Sequence, residues 1–438
     1  MAGSYFRRRM TAPATFSLFV RQLPPSRGFL VLAGIDEVCR FLERFGFDED
    51  DIAYVERTMG LSPDVLDALR GLRFTGDVWS AREGSIVTAD EPLLELTAPL
   101  PEAQLVETAL LNLMTFQTTI ASKAVRCRLA AGDRDLVDFS FRRTQGLESG
   151  LLAARSAAIA GFNSTSNVAA AARYDLRATG TMAHSYVQAF PREVDAFQAF
   201  AADYPDRTTF LVDTYDTADG VRSAIQVARE LRGHGPLAIR LDSGDLGALA
   251  RTSRGLLDSA GLTAVRILAS GGLDEHGIER LLSEDAPIDA FGVGTKMGVS
   301  ADAPYLDTVY KLVAYDGRPV MKLSTGKRTL PGPKQVFRRN DGDLTGDVVG
   351  LREEPAPDGY HPLLECVMRD GAMIAPVTPG DAVRAARTRC AADLTHVPHD
   401  NGQLVEPEPL VVSLSASLTA LAAEVAGGLA SRLPDGPT

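Results

Sequence analysis

The sequence has little cysteine, and its cysteines lie far apart. Only four occur in 438 residues, and none belongs to a Cys-x-x-Cys pair. A disulfide framework or a zinc cage needs clustered or regularly spaced cysteines. We therefore expect neither, and predict reduced, buried thiols at Cys39, Cys127, Cys366 and Cys390.

Basic residues are also in the minority. The chain has 45 Lys and Arg against 57 Asp and Glu, which gives a net charge of −12. Nucleic-acid binding draws most of its affinity from a basic surface. The composition therefore argues against a nucleic-acid partner, although an acidic chain can still hold a basic pocket for a small anion.

Long apolar runs are missing as well. Three arginines at positions 7–9 are followed by no apolar segment of the signal-peptide kind. The least charged stretch, residues 410–430, contains Glu424 and several serines. A membrane span needs about 20 predominantly apolar residues. We expect a C-terminal helix in this stretch, no membrane contact, and a cytoplasmic protein.

The sequence does contain a regular alternation of strand and helix patterns between residues 206 and 295. Predicted helices at 218–231, 246–260 and 275–282 separate predicted strands at 208–212, 237–241, 265–269 and 288–291. Tandem strand–helix units place the strands parallel. An α/β barrel and an open doubly wound sheet both fit this pattern.

The flanking regions have a different character. Residues 84–88 and 91–97 are predicted to form two strands joined by a turn, and residues 102–131 a long helix. Turn signals at 340–343 and 369–371 make residues 310–405 β-rich. We predict a β-rich N-terminal domain (1–105), an α/β catalytic domain (106–310), and a β-rich segment (311–438) that ends in a helix and packs with the N-terminal domain.

Polar residues and glycines gather where the predicted parallel strands end. In both architectures the carboxyl ends of the strands bind ligands, and in a barrel the loops after the last two strands commonly hold a phosphate. Glycines there let backbone N–H groups approach an anion. We therefore predict a phosphate site made by Ser270, Gly271, Gly272, Gly294 and Thr295.

One of the six histidines lies in a segment suited to phosphate chemistry. His184 belongs to residues 179–186, Thr-Gly-Thr-Met-Ala-His-Ser-Tyr. A histidine among glycine and hydroxyl residues can act on a phosphate as nucleophile or as donor. A structural histidine bonded to a neighbouring carbonyl is the alternative.

Several motifs together resemble the nicotinate phosphoribosyltransferases. Besides residues 179–186, the matching segments are 139–146, 161–167, 240–245, 269–272, 291–295, and 322–324 with 331–336. They occur in family order over most of the chain. The resemblance implies an irregular TIM-like α/β barrel of the type II phosphoribosyltransferase kind.

The resemblance also implies a reaction. Nicotinate and phosphoribosyl pyrophosphate would give nicotinate mononucleotide and pyrophosphate, coupled to ATP hydrolysis, in the salvage route of NAD biosynthesis. In such enzymes the histidine that matches His184 is phosphorylated by ATP. We expect Asp213 to orient its ring, with a helix N-cap as the alternative role for Asp213. Mg²⁺ is expected with the pyrophosphate leaving group, and a homodimer is implied.

Substrate contacts follow from the same resemblance. Arg240 resembles the arginine that binds nicotinate, as suits a carboxylate, and Thr181 resembles a second contact. Phe139 matches a position that stacks on the pyridine ring, with a core phenylalanine as the alternative. Arg142 resembles an arginine that meets the phosphoribosyl substrate, in some relatives across a dimer interface. Asp242 is predicted either to orient Arg240 or to hold Mg²⁺.

The start of the chain departs from the family pattern. Family members usually begin with an Asp-Leu-Tyr segment whose tyrosine stacks on nicotinate, whereas this chain begins Met-Ala-Gly-Ser-Tyr-Phe and its Tyr5 matches a later tyrosine. Either upstream residues are missing or one stacking partner is lost. Alternatives to the main interpretation are a nicotinamide or quinolinate phosphoribosyltransferase of similar fold, or a truncated and inactive subunit.

Overall fold

The computed structural model describes residues 1–230, 237–324 and 327–431. Its contacts divide the chain into two compact units. One unit combines residues 1–122 with 305–438, and the other contains residues 123–304. The β-rich N-terminal and C-terminal segments therefore share one unit, as the sequence predicts. The exact domain boundaries at residues 105 and 310 stay predictions.

Both units contain strands. In chain order these are β1 (Pro13–Val20), β2 (Leu30–Val31), β3 (Asp77–Ser80), β4 (Ile86–Val87), β5 (Pro92–Pro99), β6 (Asp135–Asp138), β7 (Ser164–Thr165), β8 (Thr209–Leu211), β9 (Ala238–Leu241), β10 (Arg266–Ala269), β11 (Ala290–Val293), β12 (Thr308–Tyr315), β13 (Arg318–Pro319), β14 (Lys334–Arg339), β15 (Val348–Leu351), β16 (Tyr360–Pro362), β17 (Glu365–Arg369), β18 (Ala372–Met373) and β19 (Ser413–Leu414).

The helices are distributed along the whole chain. They are α1 (Ala2–Arg7), α2 (Ile35–Glu43), α3 (Glu49–Met59), α4 (Pro63–Arg70), α5 (Leu100–Leu105), α6 (Glu107–Ala131), α7 (Leu147–Ile159), α8 (Val168–Tyr174), α9 (His184–Gln188), α10 (Glu193–Asp203), α11 (Thr217–Glu230), α12 (Leu246–Ser259), α13 (Glu275–Ser283), α14 (Thr295–Gly298), α15 (Pro379–Leu394), α16 (His399–Gly402) and α17 (Ala416–Ala430). Short 3-10 turns occupy Phe141–Arg143, Pro205–Arg207 and Leu344–Gly346.

The discontinuous unit is built on an antiparallel sheet of order β13-β12-β1-β5-β3-β17-β18. Strand β1 pairs with β5 on one side and with β12, from the far end of the chain, on the other. The rings of Phe16 and Tyr310 stack across the β1–β12 pair with centroids 4.6 Å apart. Pairing and aromatic packing together join the two ends of the sequence into one core.

The other unit contains a parallel sheet of order β7-β6-β11-β10-β9-β8, curled as a half-barrel. The predicted α/β fold is therefore confirmed. The strands at 208–212, 237–241, 265–269 and 288–291 correspond to β8–β11, and the intervening helices to α11–α13. Leu231, the last residue of the first predicted helix, lies outside the described residues.

Some predicted elements differ in the structure. Strands β4 and β5 exist, but β4 pairs with β2 and β5 with β1 and β3, so residues 84–97 form no hairpin. The predicted helix 102–131 is divided into α5 and α6 at Val106. The segment predicted as β-rich also contains the long helix α15. Three of the cysteines are buried as predicted, whereas Cys366 on β17 is only partly buried.

The predicted helix near the C-terminus is present as α17, within residues 410–430. Across the described parts of the chain, no helix has both the length and the apolar character that crossing a membrane would require.

Candidate active site

The predicted site residues lie at the carboxyl edge of the parallel sheet. The pairing of β10 with β9 and β11 places Leu241, Ala269 and Phe291 at neighbouring positions. The segments that follow these strands, 242–245, 270–272 and 294–295, therefore leave the sheet at one edge. We call residues 270–272 the β10 loop and residues 294–295 the β11 loop.

Arg240 is held on three sides. Its Nε donates to Ser270 Oγ at 2.8 Å, its Nη1 to Thr181 Oγ1 at 2.8 Å, and its Nη2 to Asp242 Oδ1 at 2.7 Å. Only 16% of its side chain is exposed. A guanidinium has five N–H groups, so two remain beyond these three bonds within the described contacts. That pair suits a planar carboxylate.

Asp242 is the acceptor at the centre of this cluster. Besides Arg240, Ser270 donates its hydroxyl to Asp242 Oδ1 at 2.6 Å. Burial alone raises the pKa of Asp242, but the hydrogen bond from Ser270 and the charge of Arg240 outweigh it, and the pKa lies below its usual value. Asp242 is therefore an anion at neutral pH and orients Arg240, one of the two roles predicted for it.

Phe139 lies beneath the guanidinium. The Cζ of Arg240 is 5.0 Å from the centroid of its ring, a separation typical of a cation–π contact. Phe139 is half-buried, and its N–H donates to Val293 O at 2.8 Å, continuing the β6–β11 pairing. The aromatic ring thus forms one wall of the site and supports Arg240.

His184 begins the short helix α9 and faces the same cluster. Its Nδ1 lies 3.2 Å from Thr214 Oγ1, and its Nε2 lies 4.0 Å from Asp242 Oδ2. The side chain is 41% exposed. Thr214 therefore contacts one ring nitrogen, while the other faces a carboxylate on a partly exposed ring.

Asp213 lies just after β8, at a strand end as predicted, and its side chain reaches the turn after β9. Its Oδ2 accepts the N–H of Asp242 at 3.0 Å and the hydroxyl of Ser243 at 2.6 Å. Its Oδ1 is buried and accepts no hydrogen bond within the described residues. In this structure Asp213 shapes the turn after β9, and Asp242 is the carboxylate that faces His184. The predicted catalytic role of Asp213 stays a prediction.

The β10 loop requires glycine. Gly271 has φ +99°, and a Cβ there would lie 1.9 Å from the carbonyl oxygen of Asp242. Gly272 also has φ of +69°. These conformations favour glycine, and they leave the loop's backbone exposed beside the buried Ser270. The geometry suits the approach of an anion, and the phosphate site itself stays a prediction.

The β11 loop is packed against Phe139. A Cβ on Gly294 would lie 3.0 Å from Phe139 O. The next residue, Thr295, is exposed and begins α14.

Arg142 lies on the 3-10 turn after Phe139 and is also exposed. The described contacts do not join its guanidinium to the Arg240 cluster.

Sequence reasoning missed two residues of this site. Thr214 directly follows Asp213 at the end of β8, a position that could have suggested it. Asp138, which ends β6, is buried and accepts hydrogen bonds from Ser140 N at 2.8 Å and Thr165 Oγ1 at 2.7 Å. Burial raises the pKa of Asp138. It anchors the start of the segment that carries Phe139 and Arg142.

Comparisons with known proteins found similar sequences in one family. The nicotinate phosphoribosyltransferase (NAPRTase) N-terminal domain matches residues 1–115, and the NAPRTase family matches residues 135–336. Nicotinate phosphoribosyltransferase pncB2 of Mycobacterium tuberculosis is 48% identical over 376 residues, covering 85% of this chain and 81% of that protein. The Bacillus subtilis nicotinate phosphoribosyltransferase is 42% identical, covering 83% and 77%.

Solved structures show the same fold. The crystal structure of human nicotinic acid phosphoribosyltransferase matches with a TM-score of 0.86 at 28% identity, covering 97% of this chain and 98% of that one. Nicotinate-nucleotide pyrophosphorylase from Pyrococcus furiosus has a TM-score of 0.73 at 24% identity, covering 90% and 92%, and supports the fold alone. Sequence, site geometry and these matches together show that the chain belongs to the nicotinate phosphoribosyltransferase family.

Proposed function

We propose that this protein transfers the phosphoribosyl group from phosphoribosyl pyrophosphate to nicotinate, coupled to ATP hydrolysis, in NAD biosynthesis. Family membership supports the reaction class. The observation that carries the substrate assignment is Arg240, which three side chains orient at the carboxyl edge of the sheet.

Nicotinate binds with its carboxylate on Arg240. The two remaining N–H groups of the guanidinium match a carboxylate bidentately. The oriented cation distinguishes nicotinate from nicotinamide, whose neutral amide gains much less from a positive charge. Thr181 and Phe139 border the guanidinium and complete the pocket around the pyridine ring.

Phosphoribosyl pyrophosphate binds with its 5-phosphate on the β10 and β11 loops. Arg142, which is exposed beside this edge, meets the phosphoribosyl substrate. The pyridine nitrogen of nicotinate attacks C1 of the ribose, the C1–O bond to pyrophosphate breaks, and pyrophosphate leaves with the electron pair. The pocket positions the nitrogen for this attack, because the carboxylate is fixed at the far side of the ring.

His184 couples the reaction to ATP. With its proton on Nδ1, the ring donates to Thr214 and keeps the lone pair of Nε2 for attack. Nε2 attacks the γ-phosphorus, the bond from that phosphorus to the bridging oxygen breaks, and ADP leaves. Water later hydrolyses the phosphohistidine to phosphate. Asp242, 4.0 Å from Nε2, offsets the positive charge that develops on the ring as Nε2 bonds to phosphorus.

The residues present fit a magnesium ion held jointly with substrate. Mg²⁺ prefers oxygen ligands and is commonly bound by one or two carboxylates together with substrate phosphates. Asp242 Oδ2 would supply such an oxygen, as would Asp213 Oδ1, which has no hydrogen-bond partner among the described residues. Within the described residues no group of three or more acidic, histidine or cysteine side chains forms a complete cage. When bound, Mg²⁺ would neutralise charge on the pyrophosphate.

The proposed enzyme acts as a cytoplasmic homodimer. The exposed Arg142 is the residue that the family resemblance places across a subunit interface. Light scattering on the purified chain tests this part: a dimeric mass is expected, and a monomer that is fully active would contradict it.

The test of the proposed function is product formation from phosphoribosyl pyrophosphate and Mg²⁺ with nicotinate, nicotinamide or quinolinate, each with and without ATP. We expect nicotinate mononucleotide, formed faster with ATP. Preference for nicotinamide or quinolinate would overturn the substrate assignment. Absence of product from all three would favour the inactive-subunit alternative.

A histidine pair separates the ATP coupling from the transfer itself. His184→Asn should abolish the acceleration by ATP and the acid-labile label from γ-labelled ATP. His361→Asn is the matched control, because His361 is exposed on β16 in the other unit. Undiminished labelling of the His184 variant would contradict the phosphohistidine mechanism.

A further inference from the structure

An ion pair joins the segments that follow the two phosphate loops. Lys296 immediately follows Thr295 of the β11 loop, and its Nζ donates to Asp274 Oδ2 at 2.7 Å. Asp274 lies two residues after Gly272 of the β10 loop. The Asp274 side chain is 15% exposed and that of Lys296 46%. The pair therefore spans the two loops at a position accessible to solvent.

Asp274 is fixed by its second oxygen. Its Oδ1 accepts the N–H of Gly277 at 2.9 Å as the N-cap of α13. The carboxylate thus cannot turn to follow Lys296 without breaking the cap. Through Asp274, Lys296 is held at the rigid start of α13. The β11 loop, which directly precedes Lys296, is held there too.

A buried counterpart joins the same two segments. Lys123 Nζ lies 2.6 Å from Glu275 Oε2 and 2.7 Å from Asp302 Oδ1, and the Lys123 and Glu275 side chains are almost fully buried. Glu275 follows Asp274, and Asp302 follows α14. Arg126 Nε adds a bond to Glu275 at 2.8 Å. Two lysines therefore bridge the same pair of segments.

The segment between Thr295 and Asp302 is rigid enough to transmit this constraint. Backbone bonds run from Gly298 N to Gly294 O, from Val299 N to Thr295 O, and from Ala301 N to Lys296 O. The β10–β11 ladder itself ends at the Ala269–Phe291 pair. Beyond that pair the ladder no longer sets the spacing of the loops, which then depends on contacts between the loop segments and on the packing of the β11 loop against Phe139.

We propose that Lys296 and Asp274 form a clasp that positions the two phosphate loops for phosphoribosyl pyrophosphate, with Lys123 as its buried support. This inference rests on the proposed function of the loops. Lys296 and Asp274 are positioning residues here, since they act through the loop backbone. Lys296 has 46% of its side chain exposed, and an ion pair made by such a surface lysine contributes little to overall stability. Loss of the pair should therefore change substrate binding while leaving the fold intact.

The alternative to the clasp is a purely electrostatic effect of the two charges on substrate binding. This alternative predicts the opposite change in affinity for one of the two variants. Lys296→Met leaves Asp274 as an unpaired anion beside the phosphate site. Asp274→Asn keeps the cap, since asparagine also caps helices, but removes the negative charge. If charge alone mattered, the second variant would bind the anionic substrate more tightly. A clasp predicts weaker binding for both variants.

The experiment is a double-mutant cycle on KM for phosphoribosyl pyrophosphate. We expect Lys296→Met and Asp274→Asn each to raise this KM about tenfold, and the double variant to be no worse than either single one. The KM for nicotinate should stay within about twofold, and Lys296→Arg should resemble the wild type. The control Arg222→Met removes an exposed ion pair on α11 and should have no effect.

Three results would overturn the clasp: a lower KM in the Asp274 variant, additive effects in the double variant, or an equal effect of Arg222→Met. Calorimetric titration with phosphoribosyl pyrophosphate measures the same affinities without turnover. A wild-type chain that makes no nicotinate mononucleotide would refute the proposed function, whereas the calorimetric cycle would still decide on the clasp.

Discussion

Arg240 Nη2 donates to Asp242 Oδ1 at 2.7 Å, two residues further along the chain at the end of the same strand. Ser270 donates to the same carboxylate oxygen and accepts from Arg240 Nε. The three side chains thus form a closed set of hydrogen bonds before any ligand binds. A guanidinium fixed in advance loses little conformational freedom on binding, which favours affinity for a small rigid anion.

Arg240→Gln should raise the KM for nicotinate about 100-fold, because a charge-assisted contact to a carboxylate is lost. Turnover of nicotinamide should change much less, so the variant should lose its preference between the two. The matched control is Arg266→Gln, since Arg266 lies at the opposite end of the sheet and pairs with Asp135. Equal losses with both pyridines would contradict the assignment of Arg240.

Thr214→Val should slow labelling of His184 by γ-labelled ATP about fivefold to tenfold, because the neutral hydrogen bond from Nδ1 to Thr214 Oγ1 is lost. Thr214→Ser keeps the hydroxyl and should restore the rate. Transfer measured without ATP should be unchanged. Thr252→Val, on an exposed position of α12, is the control; an unaffected labelling rate in the Thr214 variant would show that the contact does not matter.

The parallel sheet could be predicted largely because its strand and helix patterns alternate in sequence. Strands β8–β11 follow one another along the chain and lie side by side in the sheet. Strand β6 was not predicted, since it has four residues and stands apart from the alternating units. Its place beside β11 depends on tertiary packing, which sequence order does not reveal.

Most of the residues that lie together at the strand ends were named from the sequence, but Thr214, Asp138 and several contacts were not. Strand ends converge in any parallel sheet, so Arg240, Asp242 and Ser270 could be expected together. The contacts of His184 were harder to foresee, because residues 179–183 reach α9 without regular structure, although the position of Thr214 after β8 could have suggested that residue. Which of Asp213 and Asp242 faces the ring depends on the turn after β9.

Helix α15 was missed although the sequence contains a recognisable helix start. Pro379 lies in the first turn, and Thr378 accepts a hydrogen bond from Asp381 N.

Gly271→Ala should destabilise the protein and raise the KM for phosphoribosyl pyrophosphate. Its positive φ costs about 1–2 kcal/mol for a residue with a side chain, and the added Cβ would also collide with Asp242 O. Gly261→Ala is a matched control, because Gly261 has φ +74° with open space around it. Thermal unfolding and kinetics on both variants measure the two effects. Similar losses in both would show that strain alone, and no close approach, requires glycine at 271.

Glu193→Gln should stabilise the protein at pH 8 and have little effect at pH 5. Burial raises the pKa of Glu193 to about 7 from 4.5. The hydrogen bond from Ser223 opposes this rise, and the charges of Asp219 and Asp216 add to it. The Oε1 of Glu193 is buried without a partner among the described residues. A carboxyl whose folded pKa is raised binds its proton more tightly in the folded state. Stability is therefore lost as the pH rises from 4.5 through about 7.

Glutamine mimics the protonated form and escapes this loss. Because the side chain is partly exposed, solvent screening reduces the expected gain to about 1 kcal/mol at pH 8. Unfolding followed by circular dichroism between pH 5 and 8 measures it. The control Glu279→Gln, at an exposed position of α13, should give parallel curves for variant and wild type. Parallel curves for the Glu193 variant as well would mean that this carboxyl ionises without cost in the folded protein.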